Sequence, residues 1–119
     1  METKLFDSEL KIMEILWKEG DTTAKQIAAL TAAQIGWSKT TTYTVIKKCI
    51  DKGAIERREP NFICHPLITK QEAQQYETRE LINKMYDGAP DQLVASLLGS
   101  KSLSRDEIKR LKQLIRDLE

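Results

Sequence analysis

Long hydrophobic runs are missing from this sequence: no stretch approaches the ~18–20 apolar residues of a membrane-spanning helix. The first residues, METKLFDSELK, lack a signal peptide's apolar segment, so a cytosolic protein with no direct membrane association is expected. Cysteine is scarce as well. Cys49 falls on an expected core face and Cys64 on an expected strand, which argues against a disulfide framework. His65 is the lone histidine, and Cys64–His65 is the only adjacent pair of soft-metal ligands. A structural zinc site takes four ligands from closely spaced pairs, so no metal and no other cofactor are expected. Gly-rich phosphate loops, nucleophile elbows and His–Glu helical pairs are also absent, and His65 has no acid near it in sequence; an enzyme is not expected.

Net charge is small too, at +1, which excludes a uniformly basic nucleic-acid protein. Its distribution is uneven. Residues 1–36 carry a net −2, whereas residues 37–58 hold Lys39, Lys47, Lys48, Lys52, Arg57 and Arg58 against Asp51 and Glu56, a net +4. Positive charge gathered on one segment of a neutral body is the footprint of a phosphate-contacting surface.

That segment begins with a helix over 38–52. At about 100° per residue, Thr42, Val45, Ile46 and Cys49 share a core-facing stripe, while Thr40, Tyr43, Thr44 and Lys47 lie opposite. Ser38 is an N-cap and Gly53 a left-handed C-terminal stop. The outer side reads as free of acid, with hydroxyls, a phenol and an ammonium, groups that contact base edges in a major groove; the alternative is a solvated helix in which Thr happens to be common. Upstream, residues 7–18 form a core helix through Leu10, Ile12, Met13, Ile15, Leu16 and Trp17, ended by Gly20. Residues 23–34 open on a Thr23/Gln26 capping box and bury Ile27, Ala28 and Leu30 before the Gly36 turn. Downstream, 54–58 and 62–67 read as strands of a hairpin around Glu59–Pro60–Asn61, with Arg57 and Arg58 near its tip. Two helices and a hairpin in this order make a winged helix-turn-helix.

Three further helices follow: 69–87 with a Thr69/Glu72 box, 91–98, and 105–118 with a Ser104/Glu107 box. Their apolar positions are Tyr76, Leu81, Ile82 and Met85, then Leu93, Val94, Leu97 and Leu98, then Ile108, Leu111, Leu114, Ile115 and Leu118. Helices this short cannot bury that stripe among themselves, so a second copy is the expected cover; the alternative is packing back onto the N-terminal helices. The reading is a mainly α (α+β) protein: an N-terminal winged helix-turn-helix with a small β-hairpin wing over 1–68, and a C-terminal α-helical dimerisation domain over 69–119. Its expected function is that of a homodimer on a palindromic double-stranded DNA site, helix 38–52 in the major groove and wing 54–67 on the backbone. Lys39, Thr40, Thr41, Tyr43, Thr44, Lys47, Lys48, Arg57 and Arg58 are the candidate DNA contacts. A protein-interaction module using the same surfaces is the alternative.

The sequence resembles the BlaI/MecI/CopY (penicillinase repressor) family in L-x-x-x-E-x-x-I-M-x-I-L-W at 5–17, W-S-x-T-T-x-Y-T-V-I at 37–46, K-G-A-I at 52–55, P-L-I-T at 66–69, E-T-R-E-L at 77–81, Y-D-G at 86–88 and L-V-A-S-L at 93–97. The resemblance implies a dimeric winged-helix repressor of operators with TACA/TGTA half-sites, with contacts mapping to Thr40, Thr41, Tyr43, Thr44, Arg57 and Arg58. It also implies a membrane sensor metalloprotease as partner, since β-lactam-responsive members are cut at an Asn–Phe bond; the matching positions here are Ser96–Leu97, which depart from that pair. The Cys-x-Cys motifs of copper-responsive members are absent from IKRLKQLIRDLE. Phe6 stands where the family often has a Ser or Thr cap, so Asp7 is expected to cap the first helix instead.

Overall fold

The computed structural model describes residues 3–119, and among them the order is α1 (Asp7–Glu19), β1 (Thr22–Thr23), α2 (Ala24–Ile35), α3 (Lys39–Asp51), β2 (Ile55–Arg58), β3 (Ile63–Pro66), α4 (Lys70–Met85), α5 (Pro90–Gly99) and α6 (Arg105–Asp117). Capping residues set most helix starts. Thr23 Oγ1 accepts from Gln26 N–H at 3.1 Å while Gln26 Oε1 accepts from Thr23 N–H at 3.1 Å, and Thr69/Glu72 and Ser104/Glu107 repeat the exchange. Ser38 Oγ accepts from Thr41 N–H at 3.1 Å, opening α3. Between α2 and α3, Gly36 sits at φ 71°; a Cβ there would meet nothing, so the positive φ alone favours glycine.

Two expectations are corrected. Asp7 is the first helical residue rather than the cap; Phe6 is the cap position, and its N–H is held by Glu9 Oε1 at 2.7 Å. The wing is more than a hairpin, because β1 joins it in an antiparallel sheet of order β1-β3-β2. Thr22 faces Cys64 and Thr23 faces Ile63, while Ile55, Glu56, Arg57 and Arg58 face Pro66, His65, Cys64 and Ile63. A two-residue strand carries no period of its own and exists only because β3 offers it hydrogen bonds.

The chain divides into two compact units, one closing at Glu77 and the other Thr78–Glu119, the division falling inside α4. In the first, Leu5, Ile12, Met13, Leu16, Ile27, Val45, Ile46, Cys49, Ile55, Cys64 and Ile68 form one buried cluster. Burial of a side chain such as Ile46 contributes roughly 1.5–3 kcal/mol, and three polar links fix the register of the pieces. Thr31 and Thr42 share a buried hydroxyl–hydroxyl hydrogen bond of 2.6 Å between α2 and α3. Trp17 Nε1 donates to the Ile68 carbonyl at 2.8 Å, tying α1 to the segment after the wing. Glu9, 1% exposed on α1, accepts from Lys52 Nζ at 2.6 Å at the end of α3.

The second unit is different. Neither α5 nor α6 has a buried residue, and Leu81, Met85, Val94, Leu97, Leu98, Leu114, Ile115 and Leu118 are exposed, with Leu118 at 87%. Ile82, Leu93, Ile108 and Leu111 are half-buried, as is Tyr76 just before the division. Among the described residues no helix is long and apolar enough to cross a membrane.

Candidate nucleic-acid interface

Helix α3 is held by one side and offers the other. Thr42, Val45, Ile46 and Cys49 are buried, whereas Lys39, Thr40, Thr41, Thr44, Lys47 and Lys48 are exposed and Tyr43 is half-exposed. Lys39, Thr40, Tyr43, Thr44 and Lys47 line a single shallow depression. Thr41 and Lys48 lie about 80–100° around the helix from Thr40, on the edge of that face. The acid-free stretch is shorter than the sequence suggested: exposed Asp51 falls four residues after Lys47 and seven after Thr44, so it returns to the same side at the last turn.

Hydrogen bonding divides these residues further. Thr44 Oγ1 donates to the Thr40 carbonyl at 2.9 Å, which uses its hydroxyl proton and leaves the oxygen able to accept. Thr41 Oγ1 accepts from Ser38 Oγ at 2.9 Å. Tyr43 is held by its ring: Lys39 Nζ is 5.6 Å from the centroid, and the Phe62 ring meets it edge to face at 5.9 Å and 88°.

Both wing arginines sit at the tip end of β2, and each carries an acid that the count over residues 37–58 only partly included. Arg57 Nε donates to Glu59 Oε1 at 2.5 Å, and the guanidinium lies 3.7 Å from the Phe62 centroid. Its two terminal NH₂ groups have no hydrogen-bond partner among the described residues. The Arg57 hydrogen bond, followed by the Phe62 N–H, holds the Glu59 carboxyl below the usual carboxylate range. Arg58 is tethered twice, through Nε to Glu56 at 2.6 Å and through a terminal nitrogen to Asp21 at 3.6 Å. Asp21 also meets His65, 2.7 Å from Oδ1 to Nδ1, so the fold supplies from 44 residues away the acid that the local sequence lacks. Exposed pairs of this kind contribute little to stability and exchange readily for a stronger anion.

Cys49 and Cys64 are fully buried and unbridged. Burial, with Glu9 adding to it, pushes the Cys49 thiol up to about 12, and burial pushes Cys64 up to about 11. Neither is a nucleophile or a ready ligand. The folded protein is expected to react with no equivalent of an aromatic disulfide reagent at neutral pH and with two after urea unfolding; fast labelling of the folded state would contradict the packing. Stability from keeping these thiols protonated is complete below their ordinary value of 9.0 and declines as pH climbs above it toward the folded values.

Ser96 and Leu97 lie inside α5, where Ser96 Oγ accepts from Tyr86 O–H at 3.2 Å. A protease that binds an extended strand needs α5 unwound there before it can cut.

Sequence reading passed over Phe62, Glu9 and Asp21. Phe62 left a signal as the one aromatic side chain just past the Pro60–Asn61 turn, and Glu9 as the acid of the motif at 5–17.

A helix pair with its second helix exposed, followed by a hairpin completed by a third short strand, defines a winged helix-turn-helix protein. The chain belongs to the penicillinase repressor family, whose profile matches residues 5–117. It is 28% identical over 120 residues to the methicillin resistance regulatory protein MecI of Staphylococcus aureus (strain N315), covering 97% of this chain and 98% of that protein. It is 24% identical over 116 residues to the penicillinase repressor of Bacillus licheniformis, covering 96% and 91%. Among solved structures, the DNA-binding domain of the repressor BlaI superposes with a TM-score of 0.56 at 23% identity, over 60% of this chain and 90% of that one. The B. licheniformis BlaI monomeric form in complex with the blaP half-operator gives 0.53 at 23%, with the same coverage. The likeness to these two structures is one of fold.

Proposed function

We propose that the protein is a homodimeric transcriptional repressor that occupies a palindromic operator, with α3 in the major groove and the β2–β3 wing on the backbone. The observation that carries this reading is the exposed face of α3, where Lys39, Thr40, Tyr43, Thr44 and Lys47 share one surface, with Arg57 linked to Tyr43 through the Phe62 ring. Family membership agrees with it, and the relatives are named as a regulator of methicillin resistance and a penicillinase repressor. Lys39, Lys47, Lys48, Arg57 and Arg58 supply phosphate contacts, the arginines by exchanging carboxylate for phosphate. Thr40, Tyr43 and Thr44 supply base preference: hydroxyls bond base edges, and the Thr44 methyl suits a thymine methyl. The exposed leucines and isoleucines of the C-terminal helices support pairing with a second copy, which would set two winged helices on one duplex.

Anisotropy titrations at two salt concentrations, against a TACA–TGTA palindrome and its scrambled counterpart, test this. Tyr43→Ala is expected to weaken palindrome binding by ~1–3 kcal/mol and leave scrambled binding nearly unchanged. Lys47→Ala should weaken both and lower the salt slope by about 1. Equal losses on the two duplexes for Tyr43→Ala would refute its base-reading role.

A further inference from the structure

At the tip of the wing, Asn61 and Phe62 hold φ of 73° and 53°, a region that L side chains avoid. Asn tolerates it through local side-chain hydrogen bonding; Phe has no such relief. The core does not account for the strain, because Phe62 is only partly buried against it. What fixes Phe62 is a set of specific contacts. Its carbonyl accepts from Ala24 N–H at 2.9 Å, and its own N–H donates to Glu59 Oε2 at 3.3 Å. With the backbone pinned, the ring sits between Arg57 of β2, 3.7 Å away, and Tyr43 of α3, 5.9 Å away. Lys39 closes the row on the far side of Tyr43. Cation, ring, ring and cation thus run from the recognition helix to the wing. Strain kept at a non-glycine residue by surrounding contacts marks a place where geometry serves function.

We propose that Phe62 is a positioning residue that couples the wing to the recognition helix, so that Tyr43 and Arg57 meet one duplex as a unit. The inference rests on the DNA-binding reading above. Phe62 need not touch DNA. Its ring and Glu59 aim the Arg57 guanidinium before DNA arrives, leaving both terminal NH₂ groups for a phosphate, and the same ring limits the swing of Tyr43. Ordering these groups in the free protein removes part of the entropy cost of binding.

The test uses the full chain and a duplex that it enriches from a random-core library, with a scrambled control. Phe62→Leu is expected to lose about tenfold on the selected duplex, and Phe62→Tyr, which keeps the ring, to lose less than twofold. Arg57→Ala and Tyr43→Ala should be non-additive in the wild-type background, the double variant losing at least threefold less than the product of the singles, and should multiply in the Phe62→Leu background. A residue that merely stabilised the fold would not move that coupling, and urea midpoints of all variants check that each is folded. In the free protein, Phe62→Leu should also shift the Tyr43 ring-proton resonances, which lie in the Phe62 ring current. Wild-type affinity in Phe62→Leu, or multiplicative losses in both backgrounds, overturns the coupling while leaving the DNA-binding reading intact. Failure of the wild type to enrich any duplex overturns both.

Discussion

Lys52→Ala is expected to lower the unfolding free energy by about 3 kcal/mol, because it removes the counter-charge of a carboxylate that water hardly reaches. Lys52 caps the C-terminal end of α3, with Nζ 2.6 Å from Glu9 Oε1, 3.0 Å from the Lys4 carbonyl and 4.0 Å from the centroid of Phe6. Glu9 is 1% exposed, and its Oε2 is buried with no hydrogen-bond partner among the described residues. Without Lys52, the remaining hydrogen bond to that charge is the Phe6 N–H. The low end of the range for a broken buried pair applies, since the lysine side chain keeps 27% of its exposure. Glu9→Ala should cost less, about 2 kcal/mol: the lysine left behind can turn to water, and the losses are the hydrogen bond to the Phe6 N–H at the cap of α1 and a small cavity. Combining Glu9→Leu with Lys52→Met replaces an ion pair by apolar groups and should be milder than Lys52→Ala alone. Urea unfolding reads all three as midpoint shifts at constant slope. A loss below about 1 kcal/mol for Lys52→Ala would mean that the Glu9 charge is relieved some other way.

That pair also shows where sequence reading stops. Glu9 stands among the apolar positions of α1, and apart from the motif at 5–17 nothing local distinguishes it from the solvated Glu14; its burial depends on a lysine 43 residues later. Helix starts were legible because a cap and its partner are three residues apart: Ser38 with Thr41, Thr23 with Gln26, Ser104 with Glu107. The buried side of α3 was legible for the same reason, one period linking Thr42, Val45, Ile46 and Cys49. Strand β1, the Asp21–His65 pair and the Phe62 row each need β3 or the wing turn to be in place first. Net charge along the wing also conceals that Glu56, Glu59 and Asp21 sit on its arginines, two of these acids lying outside residues 37–58. On these contacts Arg57 is proposed as the stronger phosphate ligand, although the sequence presents two adjacent equals.

Ile115→Asp is expected to turn the proposed dimer into a monomer at micromolar concentration and to weaken palindrome binding roughly a thousandfold. Leu114 and Ile115 of α6 and Leu118 at its C-cap are 63%, 54% and 87% exposed, and Leu97 and Leu98 of α5 are 41% and 52% exposed. Covering a side chain of that size contributes about 1.5–3 kcal/mol, and a two-fold axis uses every residue twice. The same symmetry doubles the penalty of a charge, since two carboxylates lose water together. Binding to a palindrome then loses the second winged helix, whose contribution comes from effective concentration rather than from any new contact. The change should leave the N-terminal unit folded, because its core draws only on residues up to Ala73. Leu118→Asp, at the most exposed of these positions, separates loss of pairing from unfolding of α6, which far-ultraviolet circular dichroism would report. Light scattering and the palindrome titration must move together: a wild type that is already monomeric, or an Ile115→Asp variant that is monomeric yet binds the palindrome as tightly as before, would remove the dimer from the mechanism and leave the apolar face of α5 and α6 to another partner.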